Sequence, residues 1–225
     1  MVQLGNETNG ALCGETDWNA ILTLMRAGSR AVRETCPEAL VAVHFTNPER
    51  AGSYEFYART LAEGELDYDV FASSYYPFWH GTADNLAAVL EKIHREWGKR
   101  VMIVETSYPY TDQDTDFFAN TVSGPMGDAE YPFTPEGQAD YLAALLARAR
   151  SIPGCAGVCY WEGTWIAAGG KNWKENSALW ERFGSGWTAV TDRTIYCILD
   201  GKILSQYELE RCTVFSTEVL YGNCA

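Results

Sequence analysis

Val101-Met102-Ile103-Val104-Glu105 is a run of four apolar residues that ends on a carboxylate. A strand with no polar side belongs to a sheet covered on both faces, and such sheets are parallel. The same form recurs on either side of it. Upstream lie Val2-Gln3-Leu4-Gly5-Asn6-Glu7, Leu40-Val41-Ala42-Val43-His44-Phe45 and Val70-Phe71-Ala72-Ser73-Ser74-Tyr75-Tyr76; downstream lies Gly157-Val158-Cys159-Tyr160-Trp161-Glu162.

Helical spacing fills the gaps. Trp18, Ile21, Leu22, Leu24, Met25 and Val32 follow a 3.6-residue period that Pro37 stops. Ser53 to Leu61 carries Tyr54, Phe56, Tyr57 and Leu61; Thr82 or Asp84 caps a helix that runs to Trp97 and ends at Gly98. After a loop from Tyr108 to Pro132, Pro135 opens a helix to about Arg150. Five strands alternating with helices in units of about 30 residues suit a doubly wound sheet or a (β/α)8 barrel. No GxGxxG follows the first strand, which weighs against a nucleotide-binding sheet. The expected class is α/β, a partial (β/α)8 barrel.

Bulk composition narrows the partners. With 47% hydrophobic and 13% aromatic residues the chain builds a sizeable core. A net charge of −13 disfavours nucleic acid and anionic membranes, which need clustered Lys and Arg. No stretch reaches the roughly 18 apolar residues of a membrane span. The seven cysteines form no CxxC pair, and Cys155 and Cys159 lack a nearby His for zinc. Buried, reduced thiols are expected, with a disulfide among Cys197, Cys212 and Cys224 as the sharper option.

Both architectures put chemistry at the C-terminal ends of the strands, and the polar residues collect there. Glu7 and Glu105 end apolar strands three βα steps apart, where a carboxylate is costly unless it faces a polar cleft. Two carboxylates about 5–5.5 Å apart are the geometry of a retaining glycosidase, one a nucleophile and one a proton donor. Mutual repulsion keeps a proton on one of such a pair. Asn6 stands beside Glu7 to meet a sugar hydroxyl, and a Tyr from the third strand is placed to hydrogen-bond Glu105. Trp161 offers an apolar face for a pyranose ring.

Five ordered segments carry a family resemblance. Met1-Val2-Gln3-Leu4-Gly5-Asn6-Glu7-Thr8-Asn9-Gly10 resembles the fourth barrel strand of the endo-β-1,4-galactanases (arabinogalactan endo-β-1,4-galactosidases), and Ser74-Tyr75-Tyr76-Pro77-Phe78-Trp79 resembles their sixth. Ile103-Val104-Glu105-Thr106-Ser107-Tyr108-Pro109 is similar to the seventh, Pro132-Phe133-Thr134-Pro135-Glu136-Gly137-Gln138 to the start of the seventh helix, and Tyr160-Trp161-Glu162-Gly163-Thr164-Trp165-Ile166 to the eighth strand. The resemblance implies retaining hydrolysis of internal β-1,4-galactosyl bonds in galactan or arabinogalactan, an extracellular protein and no cofactor. It implies Glu7 as acid/base and Glu105 as nucleophile. Asn6, His44, Tyr76 and Trp161 would be substrate contacts, and Trp79, Trp165 and Tyr108 cleft platforms. Tyr75 is a weaker candidate, His80 and His94 read as surface residues, and Glu162 reads as structural. No metal is carried over.

The resemblance covers about residues 1–189, and 190–225 reads as a divergent tail. The family's first three βα units have no counterpart here, so the chain reads as an N-terminally truncated fragment, weakly active alone and prone to self-association at open sheet edges. The alternatives are another retaining barrel glycosidase, a mannanase or cellulase, and an inactive carbohydrate-binding remnant.

Overall fold

The computed structural model describes residues 1–113, 122, 129–161 and the backbone of 197–199 and 202–204. Residues Met1–Thr106 and Leu146–Cys159 belong to one compact unit, and Ser107–Leu145 with Tyr160 and Trp161 to a second.

In chain order come β1 (Val2–Leu4), α1 (Trp18–Thr35), β2 (Val41–Phe45), α2 (Ser53–Glu63), β3 (Val70–Ser74), α3 (Ala83–Trp97), β4 (Arg100–Glu105), α4 (Pro135–Arg150) and β5 (Cys155–Val158). The strands β1 to β5 of the first unit form a βα ladder, whose last helix, α4, begins in the second unit and ends in the first. Every strand pair from β1 to β5 is parallel, and spatial order equals sequence order. A doubly wound sheet reverses its order at a switch point. Here the order never reverses, which is the rule of the (β/α)8 barrel.

One strand face carries Ala42, Val70 and Met102, fully buried, with Leu40, Val104, Ala156 and Cys159 packed against them. The other meets the helices: Phe45 stacks on Phe71 at 4.9 Å and on Tyr57 at 4.5 Å. α1 buries Ile21, Leu22, Met25, Ser29 and Val32 at helical spacing, and its N-terminus is capped by Asp17, which accepts from the amides of Asn19 and Ala20. Leu24, expected on that face, is 40% exposed. Thr82 caps α3 and Gly98 ends it at φ +66°, a conformation that only glycine adopts freely.

Two expected boundaries move. The fifth strand is Cys155–Val158, not Gly157–Glu162, because pairing with β4 starts directly after the Gly154 turn. Cys13 and Cys36, expected to be buried, are exposed. In the second unit, β6 (Cys197–Leu199) and β7 (Lys202–Leu204) pair antiparallel, with Ile198 opposite Ile203. The side chains of Cys197, Cys212 and Cys224 lie outside the described residues. No helix among them is long and apolar enough to cross a membrane.

Candidate active site

The loop after β1 turns Glu7 toward the ends of β2 and β3. Gly5 sits at φ +78°, and a Cβ there would meet Thr8 Cγ2 at 2.6 Å and Leu12 Cδ1 at 2.8 Å, so the turn requires glycine. Glu7 itself is left-handed at φ 47°, an uncommon conformation for a residue with a side chain. Its two C-terminal neighbours hold it there. Thr8 donates to the His44 carbonyl from both its amide (2.8 Å) and its hydroxyl (3.0 Å). The Asn9 amide group clamps Thr46, donating to its carbonyl and accepting from its N–H, both at 2.9 Å.

Glu105 arrives by a bulge. Ser73 pairs with Ile103 but Ser74 with Glu105, so the register slips by one residue beside the site. Such a slip re-aims a side chain. A carboxylate oxygen of Glu7, one of Glu105 and a ring nitrogen of His44 then all lie within 4.8 Å of one another.

Each carboxylate receives a hydroxyl. Tyr76 donates to Glu105 Oε1 at 2.6 Å, and Ser74 donates to Glu7 Oε1 at 2.6 Å. Behind the hydroxyls stand two buried imidazoles. His44 Nε2 is 2.8 Å from Ser74 Oγ, and its Nδ1 is 3.3 Å from the Glu7 amide that donates to it. His80 Nδ1 accepts the Tyr76 amide at 3.1 Å, and its Nε2 is 3.3 Å from Thr46 Oγ1. Burial lowers His44 from the ordinary imidazole range to about 4, against the opposing pull of the Glu7 carboxylate. Burial likewise pushes His80 down. Both rings are neutral at pH 7. With Nδ1 and Nε2 both engaged, His44 has no lone pair to give a cation.

The expected site residues divide accordingly. Glu7, Glu105, Asn6, His44 and Tyr76 come together, and Trp79 stands beside Tyr76 with ring centroids 5.5 Å apart and 44% exposed. His44 is corrected from substrate contact to support: it is 1% exposed and both nitrogens are used within the protein. Tyr108 is corrected from cleft platform to core of the second unit. Its ring stacks on Tyr141 at 4.4 Å, and its hydroxyl donates to the Tyr131 carbonyl at 2.6 Å. The buried Gln138 and Tyr160 both donate to the Tyr108 carbonyl, at 2.6 and 2.8 Å, which accounts for the glutamine in the Pro132–Gln138 segment. Trp161 is half-buried in that unit. Trp165 and Glu162 lie outside the described residues. Tyr75 is buried and gives its hydroxyl to the Gly81 carbonyl at 3.1 Å, a structural role.

Two residues were missed. His80, expected at the surface, is 6% exposed. Ser74 carries no chemical signal of its own in the sequence, although it lies two residues before Tyr76 and strand alternation sends both toward the same side.

Comparison with known proteins adds an independent line. The profile described as glycosyl hydrolase family 53 matches residues 1–192. The endo-beta-1,4-galactanase of Bacillus subtilis (strain 168) is 51% identical over 191 residues, covering 84% of this chain and 44% of that protein. The arabinogalactan endo-beta-1,4-galactanase of Cellvibrio japonicus is 32% identical over 194 residues, covering 80% and 51%. Among solved structures, the Ignisphaera aggregans GH53 catalytic domain superposes with a TM-score of 0.74 at 22% identity, over 98% of this chain and 58% of that one, and so supports the fold. The chain spans about half the length of the curated relatives it matches.

Proposed function

The chain belongs to glycosyl hydrolase family 53, and from that premise we propose that it carries the carboxylate pair of a retaining glycosidase acting on internal β-1,4-galactosyl bonds of galactan or arabinogalactan. The observation that supports this most is the spacing of Glu7 and Glu105. Their oxygens approach within 4.8 Å, on the retaining side of the divide at about 5.5 Å and well short of the roughly 6.5–9.5 Å that leaves room for an inverting water.

In the first step Glu7 gives its proton to the glycosidic oxygen while a Glu105 oxygen attacks the anomeric carbon. The bond from that carbon to the leaving oxygen breaks, and a galactosyl ester of Glu105 forms. In the second, Glu7 takes a proton from water, the resulting hydroxide oxygen attacks the same carbon, and the ester bond breaks. Glu105 is restored as a carboxylate and Glu7 as an acid. The Tyr76 hydroxyl on Glu105 Oε1 holds that carboxylate in one rotamer for attack.

Asn6, exposed beside Glu7, is proposed to meet a sugar hydroxyl, and Trp79 to stack on a pyranose face. Trp161 and Trp165 are proposed as further stacking surfaces, on the resemblance alone. A polysaccharide does not cross a membrane, which puts the proposed reaction outside the cell.

The test is release of new reducing ends from linear β-1,4-galactan by the purified chain, beside mannan and cellulose. Cleavage of galactan, lost by several orders of magnitude in Glu105→Gln, is expected. Cleavage of mannan or cellulose in its place would move the chain to another sugar. Galactan binding with product formation indifferent to Glu105→Gln would make it a binding remnant.

A further inference from the structure

We propose that Glu7, His44 and Ser74 form a closed ring of hydrogen bonds in which the main chain of the glutamate steers its own carboxylate and assigns the transferable proton to Oε2. What that proton does rests on the glycosidase reading above; the ring does not.

The argument follows single protons. The Glu7 amide, 3.3 Å from His44 Nδ1, can donate but never accept, so the nitrogen it faces is bare. A neutral imidazole with a bare Nδ1 carries its proton on Nε2, which points at Ser74 Oγ 2.8 Å away. The serine has one proton of its own. With Oγ already accepting from the ring, that proton goes to Glu7 Oε1 at 2.6 Å. Within the ring each member gives one hydrogen bond and takes one. His44 is 1% exposed and Ser74 fully buried, so water does not replace either partner. Burial keeps the imidazole neutral, as the scheme requires.

A reversed arrangement gives the proposal its edge. Asn6 Oδ1 and Gln3 Nε2 each stand 3.1 Å from His44 Nδ1. If Nδ1 held the proton and gave it to Asn6, then Nε2 would take the serine proton and none would reach a Glu7 carboxylate. The Glu7 amide and the Gln3 amide nitrogen are both donors and favour the bare Nδ1.

The ring confines the chemistry to one atom. With Oε1 held by Ser74, the carboxyl cannot turn about its last torsion, and no described residue donates to Oε2. The proton leaves from Oε2 toward the glycosidic oxygen and returns to Oε2 from water, so leaving group and water are met at one point. Ser74 and His44 are positioning residues: they touch Glu7 or each other, not substrate.

The test has two arms. Long-range 1H–15N spectra of the purified chain at pH 7 identify the His44 tautomer without any substrate. An Nε2–H tautomer is expected, its proton exchanging with solvent faster in Ser74→Ala once circular dichroism has verified that this variant keeps its fold. An Nδ1–H tautomer, or exchange unchanged by the substitution, overturns the ring. In the second arm, kcat/KM is compared on galactan and on an aryl β-1,4-galactooligosaccharide with a dinitrophenyl leaving group, which departs without acid help. Ser74→Ala is expected to lose about 10- to 100-fold on galactan, part of the roughly 10²–10⁴-fold that general acid–base catalysis supplies, and several times less on the aryl substrate. Equal losses on both overturn the positioning role. Should the unsubstituted chain cleave neither substrate, the tautomer alone decides the ring.

Discussion

Two glutamates carry the proposed chemistry, but single residues around them decide whether it can happen. Gly5 is the first. Its positive φ and the 2.6 Å approach to Thr8 leave no place for a methyl group, so Gly5→Ala should cost about 1–3 kcal/mol and displace Glu7. Thermal denaturation should show the loss, and activity should fall with it. His44 is the second. Its pKa in the fold, about 4, lies below the ordinary 6.5. Between those values the unfolded chain takes up a proton that the folded chain refuses, so the stability held above pH 6.5 drains away as pH falls toward 4. The loss should be about 3 kcal/mol at most. Denaturant melts over that range should show a shallower slope for His44→Asn than for the unsubstituted chain. Neither the ring nor the burial behind these predictions was legible along the chain. Glu7 and Glu105 announce themselves as carboxylates ending apolar runs. Ser74 is one more small residue in a strand, and His80 one more histidine in a loop, until neighbouring strands bring partners to them from far away.

At the level of elements, the strands were legible because burial on both faces leaves them uniformly apolar. Gly98 and the prolines at 37 and 135 marked helix ends for stereochemical reasons that need no partner. β5 was misplaced because Cys155-Ala156-Gly157 has little hydrophobic signature of its own; its start is set by pairing with β4. A polar clamp at the opposite end of the sheet was also invisible. Arg33, in the last turn of α1, grips Asp67 through two bonds of 2.8 and 2.9 Å, and Asp69 at 3.0 Å. Asp69 in turn accepts the Val41 amide, at the start of β2, at 2.7 Å. Asp69→Ala strands that amide and leaves Arg33 with one acid. Destabilisation of about 1–3 kcal/mol is expected by chemical denaturation, with kcat little changed because the clamp lies at the strand ends remote from Glu7 and Glu105.

For the molecule as a whole, β1 and β5 are the edge strands of the sheet among the described residues, and Met1 and Val2 on β1's side are 50% and 39% exposed. Among the described residues no strand pairs with the outer side of β1, and an edge with exposed apolar side chains is a template for a further strand. Sedimentation should therefore reveal species whose size grows with concentration, and Val2→Lys should suppress them. Strand order has a different consequence, one of timing. His44 lies 37 residues from the glutamate whose amide it accepts, and Ser74 lies 67 residues from the carboxylate it holds. Because neighbours in the sheet are neighbours in the chain, β1 to β4 can join by short successive closures, whereas Glu105 meets Glu7 after all four are in register. Long-range parallel pairing is slow. On dilution from denaturant, helical ellipticity should return first, and competence to bind or cleave a sugar should lag behind it as a separate, later phase.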